Sequence, residues 1–105
     1  MKKTKKDKLK KAGWRVGSTT DFLGLSPEEE ALVEIRLVLA RYLRQRRLRK
    51  KVTQVQLASE IRSSQSRVAK MESGDPTVSI DLILKCLLHL GASPKQLARI
   101  IGTAA

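Results

Sequence analysis

From Pro27 onward, apolar residues recur three and four positions apart in five separate stretches, the spacing of helices that bury one face. The longest stretch predicts a helix from about Pro27 to Arg47. Leu32, Ile35, Leu39 and Tyr42 line one side of it, and Val33, Leu37 and Ala40 a second. One side covers a core. The other needs a further cover: the 14–25 segment, a second subunit or a different protein. Leu57, Ala58 and Ile61 mark a short helix from about Gln54 to Ile61, and Val68 and Met71 another from about Gln65 to Glu72. Leu82, Ile83, Cys86, Leu87 and Leu90 give residues 80–90 a buried face, and Leu97, Ile100 and Ile101 serve a last short helix. The pattern predicts an all-α fold of five helices.

Polar residues punctuate these stretches where helices need caps. Ser26 with Glu29, Thr53 with Gln56, and Ser93 with Gln96 each have the spacing of a capping box, and Pro27 and Pro94 suit a first helical position. Ser64 and Ser79 are placed to cap the helices that follow them. Val52 with Leu57 and Val78 with Ile83 form hydrophobic staples. Gly74 and Gly91 end helices, and Arg62-Ser63 turns the chain between the two shortest ones.

Two helices this short cannot stand alone. The second keeps Val68 and Met71 for the core and turns Gln65, Ser66, Arg67 and Lys70 outward, with no carboxylate before Glu72. Amide, hydroxyl and cationic side chains suit phosphates and the base edges of the major groove. A helix-turn-helix places such a helix in that groove. The plainer alternative is a solvated face on an ordinary helical bundle. Caps, staple, turn and basicity together favour DNA.

Thr53-Gln54, Leu57-Ala58, Ser64-Gln65, Val68 and Glu72-Ser73-Gly74 resemble the XRE class of helix-turn-helix proteins, and Ser64-Gln65-Ser66-Arg67-Val68 is particularly close. Phe22-Leu23-Gly24-Leu25, followed by acidic residues and a long helix, is similar to small XRE antitoxins of the HigA type. The resemblance spans about Trp14 to Ile101. It implies a lambda repressor-like domain with its motif at 53–74, binding double-stranded DNA at an inverted-repeat operator as a homodimer. It implies Gln65, Ser66 and Lys70 as base readers, Gln54 and Arg67 as phosphate contacts, and Ser64 beside them. An arginine of the first helix, Arg44 or Arg47, is expected to pair with Glu72. The antitoxin resemblance adds a partner, a small basic RelE/HigB-like ribonuclease toxin that the protein would neutralise while repressing its own operon. The alternative is a stand-alone XRE repressor or phage-type regulator. Two departures stand out: Arg62 occupies a position where the family usually has glycine, and Leu48 to Lys51 lengthens the approach to Thr53.

The 105 residues suffice for one small domain. With one Trp, one Tyr and one Phe, its core must be aliphatic. Residues 1–13, rich in lysine, are expected to form a disordered basic tail, either a DNA-binding arm or a solubilising extension. Residues 14–105 are expected to form the domain. A formal charge of +12 calls for a polyanionic partner. The scarcity of aromatics argues against a stacking platform for single strands. Trp14, Phe22 and Leu23, with Glu30 and Glu34, are the candidate contacts for a protein partner, because the start of the first helix is acidic in an otherwise cationic chain. The last helix, with Leu97, Ile100 and Ile101, is the candidate dimer surface. A single Cys excludes an intramolecular disulfide and fits a cytoplasmic protein, and no apolar run approaches a membrane span. No phosphate loop or dinucleotide fingerprint occurs. The lone His and lone Cys are far apart, so no enzyme, metal site or cofactor is expected. A basic adaptor or RNA-binding protein that keeps the fold without reading DNA is the competing class.

Overall fold

The structure, a computed structural model, describes residues 24–104; the 1–13 segment, Trp14, Phe22 and Leu23 lie outside the described residues. Five α-helices make up the described chain: α1 (Pro27–Arg49), α2 (Gln54–Glu60), α3 (Gln65–Ser73), α4 (Ile80–His89) and α5 (Pro94–Ile101). The predicted all-α architecture is thus the observed one. No helix among the described residues is long and apolar enough to cross a membrane.

The chain divides into two units between Leu32 and Val33, with α1 starting in one and ending in the other. In the first unit the Ser26 hydroxyl accepts from the Glu29 backbone N–H at 3.1 Å, and the Glu29 carboxylate accepts from the Ser26 N–H at 2.8 Å. Glu28, Glu29 and Glu30 fill the first turn, where the helix dipole favours negative charge. Leu32 is about half exposed, at 49%, and does not take the core position its spacing suggested.

The second unit holds the core. Leu39 and Leu43 of α1, Leu57 of α2, Val68 and Met71 of α3, and Ile83, Cys86 and Leu87 of α4 are fully buried. Tyr42 packs at the edge of this cluster, so the interior is aliphatic as the composition requires. Leu97 is buried in the same core, and Ile100 and Ile101 pack against it half-buried. The apolar stripe of α5, expected to form a dimer surface, is therefore the face that closes the domain.

Local chemistry sets the helix starts. Thr53 and Gln56 form a reciprocal capping box, as do Ser93 and Gln96; Ser64 and Ser79 accept from the N–H groups of Arg67 and Leu82. The first four helices end in one geometry, whereas α5 ends at Gly102 in the right-handed region. At Lys51, Arg62, Gly74 and Gly91 the chain turns left-handed, with φ of 59°, 57°, 75° and 93°. Each of these residues donates its N–H to the carbonyl three back, and its successor donates to the carbonyl five back. At Gly74 the backbone angle favours glycine, and a Cβ there would also stand 2.8 Å from the Leu37 Cδ2, so that the leucine tip would have to shift. Lys51 and Arg62 are exposed L-residues in the same conformation, which costs about 1–2 kcal/mol each. The stretch from Leu48 to Lys51 thus extends α1 and then stops it at a left-handed lysine.

One buried ion pair joins α1 to α3. The Arg47 Nε and Nη2 grip the two carboxylate oxygens of Glu72, the latter at 2.9 Å, with side chains only 8% and 4% exposed. Arg47 Nη1 also donates to the Val52 carbonyl at 2.8 Å, just ahead of α2. Of the two candidate partners for Glu72, Arg47 makes the bond and Arg44 is exposed. Hydrogen bonding to Glu72 raises the Arg47 pKa further above its ordinary value, outweighing desolvation.

Breaking this pair from one side strands a buried charge. Glu72→Ala is expected to lower unfolding free energy by roughly 3–5 kcal/mol in urea denaturation; a loss below about 1 kcal/mol would show the pair to be dispensable. A second expectation concerns Cys86. Burial pushes its thiol up to about 11 from an ordinary 9.0, and its Sγ lies 3.5 Å from the Met71 Sδ. Only the thiolate reacts. Iodoacetamide at neutral pH should therefore leave the native chain unlabelled and label it in denaturant. Because the folded pKa is the raised one, this group's contribution is complete below the unfolded pKa near 9 and declines as pH climbs toward 11. Rapid native labelling at neutral pH would contradict that environment.

Candidate nucleic-acid interface

The α2–turn–α3 unit is ordered by its caps and by the buried pair beneath it. Leu57 and Ala58 anchor α2 in the core, and Val68 and Met71 anchor α3. Burying those positions fixes the rotation of α3 about its axis. Gln65, Ser66, Arg67 and Lys70 are consequently exposed, together with Ser64 at the cap. No carboxylate interrupts this face until Glu72, and Glu72 turns inward to Arg47.

Gln54 and Gln65, the first residues of α2 and α3, are bonded to each other. The Gln65 amide donates to the Gln54 carbonyl oxygen at 2.6 Å, and the Gln54 amide donates to the Glu72 carboxylate at 3.1 Å. A continuous relay therefore runs from Arg47 through Glu72 and Gln54 to exposed Gln65. It holds a flexible side chain in place before any ligand arrives, which lowers the entropic cost of using it. Gln54, an expected phosphate contact, is half-buried and also supports Gln65.

Ser64, Ser66, Arg67 and Lys70 line a polar cleft of about 150 Å3 whose opposite wall is Thr77 and Val78. Thr77 is not among the candidate residues that the sequence pattern offers. The Asp75-x-Thr77 spacing is the signal that could have found it, because Asp75 folds the loop upon itself. Its Oδ1 accepts from the Thr77 N–H at 2.8 Å and from the Thr77 hydroxyl at 2.6 Å. Those bonds hold the Asp75 carboxyl below the usual carboxylate range. Arg36 of α1 donates to the Val78 carbonyl and ties the loop to the domain.

The basic run from Arg44 to Lys51 does not act as one surface. Arg47 is buried, and Arg46 donates to the Leu90 carbonyl at the end of α4 at 3.0 Å and to the Tyr42 hydroxyl at 3.1 Å. Arg44, Arg49, Lys50 and Lys51 are exposed. Of the candidate protein-partner residues, Glu30 and Glu34 lie on α1, each partly buried; Trp14, Phe22 and Leu23 fall outside the described residues.

A family model described as Helix-turn-helix domain matches residues 38–100. No curated protein and no solved structure matches. The matched range begins on α1, runs through the relay and the cleft, and ends on α5, covering more than half of the chain. With its five helices, the capped α2–turn–α3 pair and the polar outer face of α3, this chain belongs to the helix-turn-helix domain family, in an XRE-like, lambda repressor-like form.

Proposed function

We propose that the protein is a sequence-specific regulator of transcription that reads duplex DNA with α3. The observation that carries this reading is the relay ending at Gln65. A glutamine held by a second glutamine, itself held by a buried ion pair, is built for readout; a solvated face has no need of it. Gln65, Ser66 and Lys70 are the base readers in this proposal, Gln54 and Arg67 contact phosphate, and Ser64 flanks them at the helix start. The domain binds an inverted repeat as a homodimer, with half-sites about 34 Å or a multiple apart. Its dimer surface lies outside Leu97, which the core has taken.

The more specific form of this reading is an antitoxin. Its support is the acidic first turn of α1, Glu28 to Glu30, next to half-exposed Leu32 in a chain of net charge +12. A ribonuclease that grips RNA phosphates is itself basic, and an acidic patch would steer the two together. Glu30 and Glu34, with Trp14, Phe22 and Leu23, are the proposed contacts. The stand-alone repressor differs only in lacking this partner.

Two measurements test these readings. With a preferred duplex selected from random sequence, Gln65→Ala should weaken binding by roughly 1–3 kcal/mol and relax preference at one base pair, whereas Arg67→Ala should weaken all sequences alike. Unchanged affinity and preference in Gln65→Ala would remove α3 as the reader. For the antitoxin form, co-expression with the product of the neighbouring reading frame should yield a captured complex with the full chain and a weaker one with a truncation beginning at Ser26. Equal capture would take Trp14, Phe22 and Leu23 out of the interface, and no capture by the full chain would leave the stand-alone repressor.

A further inference from the structure

We infer that Lys51 and Arg62 are a pair of phosphate clamps, one just ahead of α2 and one just ahead of α3, kept as cations at positions where the fold itself calls for glycine. The inference rests on the DNA-binding reading above and extends it to two residues which that reading does not use.

Four helix ends in this domain turn through the same left-handed geometry, at positions 51, 62, 74 and 91. Two carry glycine, the residue that adopts this conformation without penalty. The other two carry Lys51 and Arg62, and these bracket α2. Both are exposed, and among the described residues neither has a hydrogen-bond or salt-bridge partner for its side chain. Backbone strain at an exposed position with no local compensation points to a use for the side chain.

Their placement supplies that use. Lys51 stands three residues before Gln54, and Arg62 three residues before Gln65. Gln54 and Gln65 are bonded to one another at 2.6 Å. A chain of three residues spans at most about 11 Å, so both cations are anchored within that distance of the reading pair. The major groove is about 12 Å wide and is walled by phosphates. A helix that brings Gln65 to the base edges therefore carries Lys51 and Arg62 within reach of those walls. A competing explanation is that each cation neutralises the negative end of the helix it terminates, α1 or α2. That role would make the cation stabilising, and its loss would destabilise the fold.

The two explanations predict opposite changes in stability. Using the full chain and a short DNA duplex of mixed sequence, Lys51→Gly and Arg62→Gly are each expected to raise the thermal midpoint by about 2–6 °C through relief of strain. Each should also weaken binding roughly 5- to 10-fold at about 0.1 M salt and make the log–log salt slope shallower by about 0.9. Arg62→Lys retains both charge and strain and should resemble wild type in both measurements. Lys95→Ala, which removes one exposed charge from the start of α5, should change binding far less. Glycine variants that bind as wild type does, or whose midpoints fall, overturn the clamp role. A Lys95→Ala loss equal to theirs would reduce it to net charge and overturn it as well. Wild-type binding that is absent or insensitive to salt would instead bring down the DNA-binding reading itself, and the clamps with it.

Discussion

The contact between Arg47 and Glu72 organises this domain because it does three jobs in one place. It ties the end of α1 to the end of α3, it holds the approach to α2 through the Val52 carbonyl, and it anchors Gln54 through a shared carboxylate oxygen. Burying two charges is expensive, and their attraction repays that cost only when the geometry is good and the remaining donors and acceptors are filled. Here the contact is two-pronged, and each partner has a further hydrogen bond. A hydrophobic pair of the same volume could hold the helices together equally well. It could not accept a hydrogen bond from Gln54, and the position of Gln65 would then depend on its own rotamer preferences. The pair therefore sets the orientation of the interface as well as contributing to stability.

Much of the fold was legible in the sequence because it is written in windows of four or five residues. The boxes at Ser26, Thr53 and Ser93 and the caps at Ser64 and Ser79 form as their spacing requires, since each depends on neighbours along the chain. What lay beyond reach depended on residues distant in sequence. Arg44 and Arg47 are equally basic and lie less than one turn apart, so only the packing of α1 against α3 decides between them. Leu97 reads as an exposed stripe until α5 folds onto the core. Leu32 has the right spacing for the core face of α1, yet it is half exposed. The support that Gln54 gives Gln65 could not be read from its residue type, because its own bond to Glu72 comes from eighteen residues away.

The turns show the same division. Gly74 could be read as a helix stop from its identity alone, but the close approach of Leu37, from a different helix, could not. Arg62 could be marked as a departure from a glycine position, and the structure gives it the left-handed angle that such a position demands. Lys51 carried no sign of a left-handed turn, because a lysine within a lysine- and arginine-rich run has nothing to set it apart.

The link from Gln54 to the buried pair couples the reading side chain to the folding equilibrium. A side chain positioned by the intact core is correctly placed only in molecules whose core is intact. The apparent affinity for anything Gln65 reads is then the intrinsic affinity multiplied by the native fraction. At about 3 kcal/mol of stability that fraction already exceeds roughly 0.99, and it stays close to one until little more than about 1 kcal/mol remains. Core substitutions in α4 or α5 should thus be silent at the interface over most of the stability range and then abolish recognition abruptly. The domain would tolerate sequence drift far from α3 without gradual loss of function, up to a threshold set by its folding equilibrium.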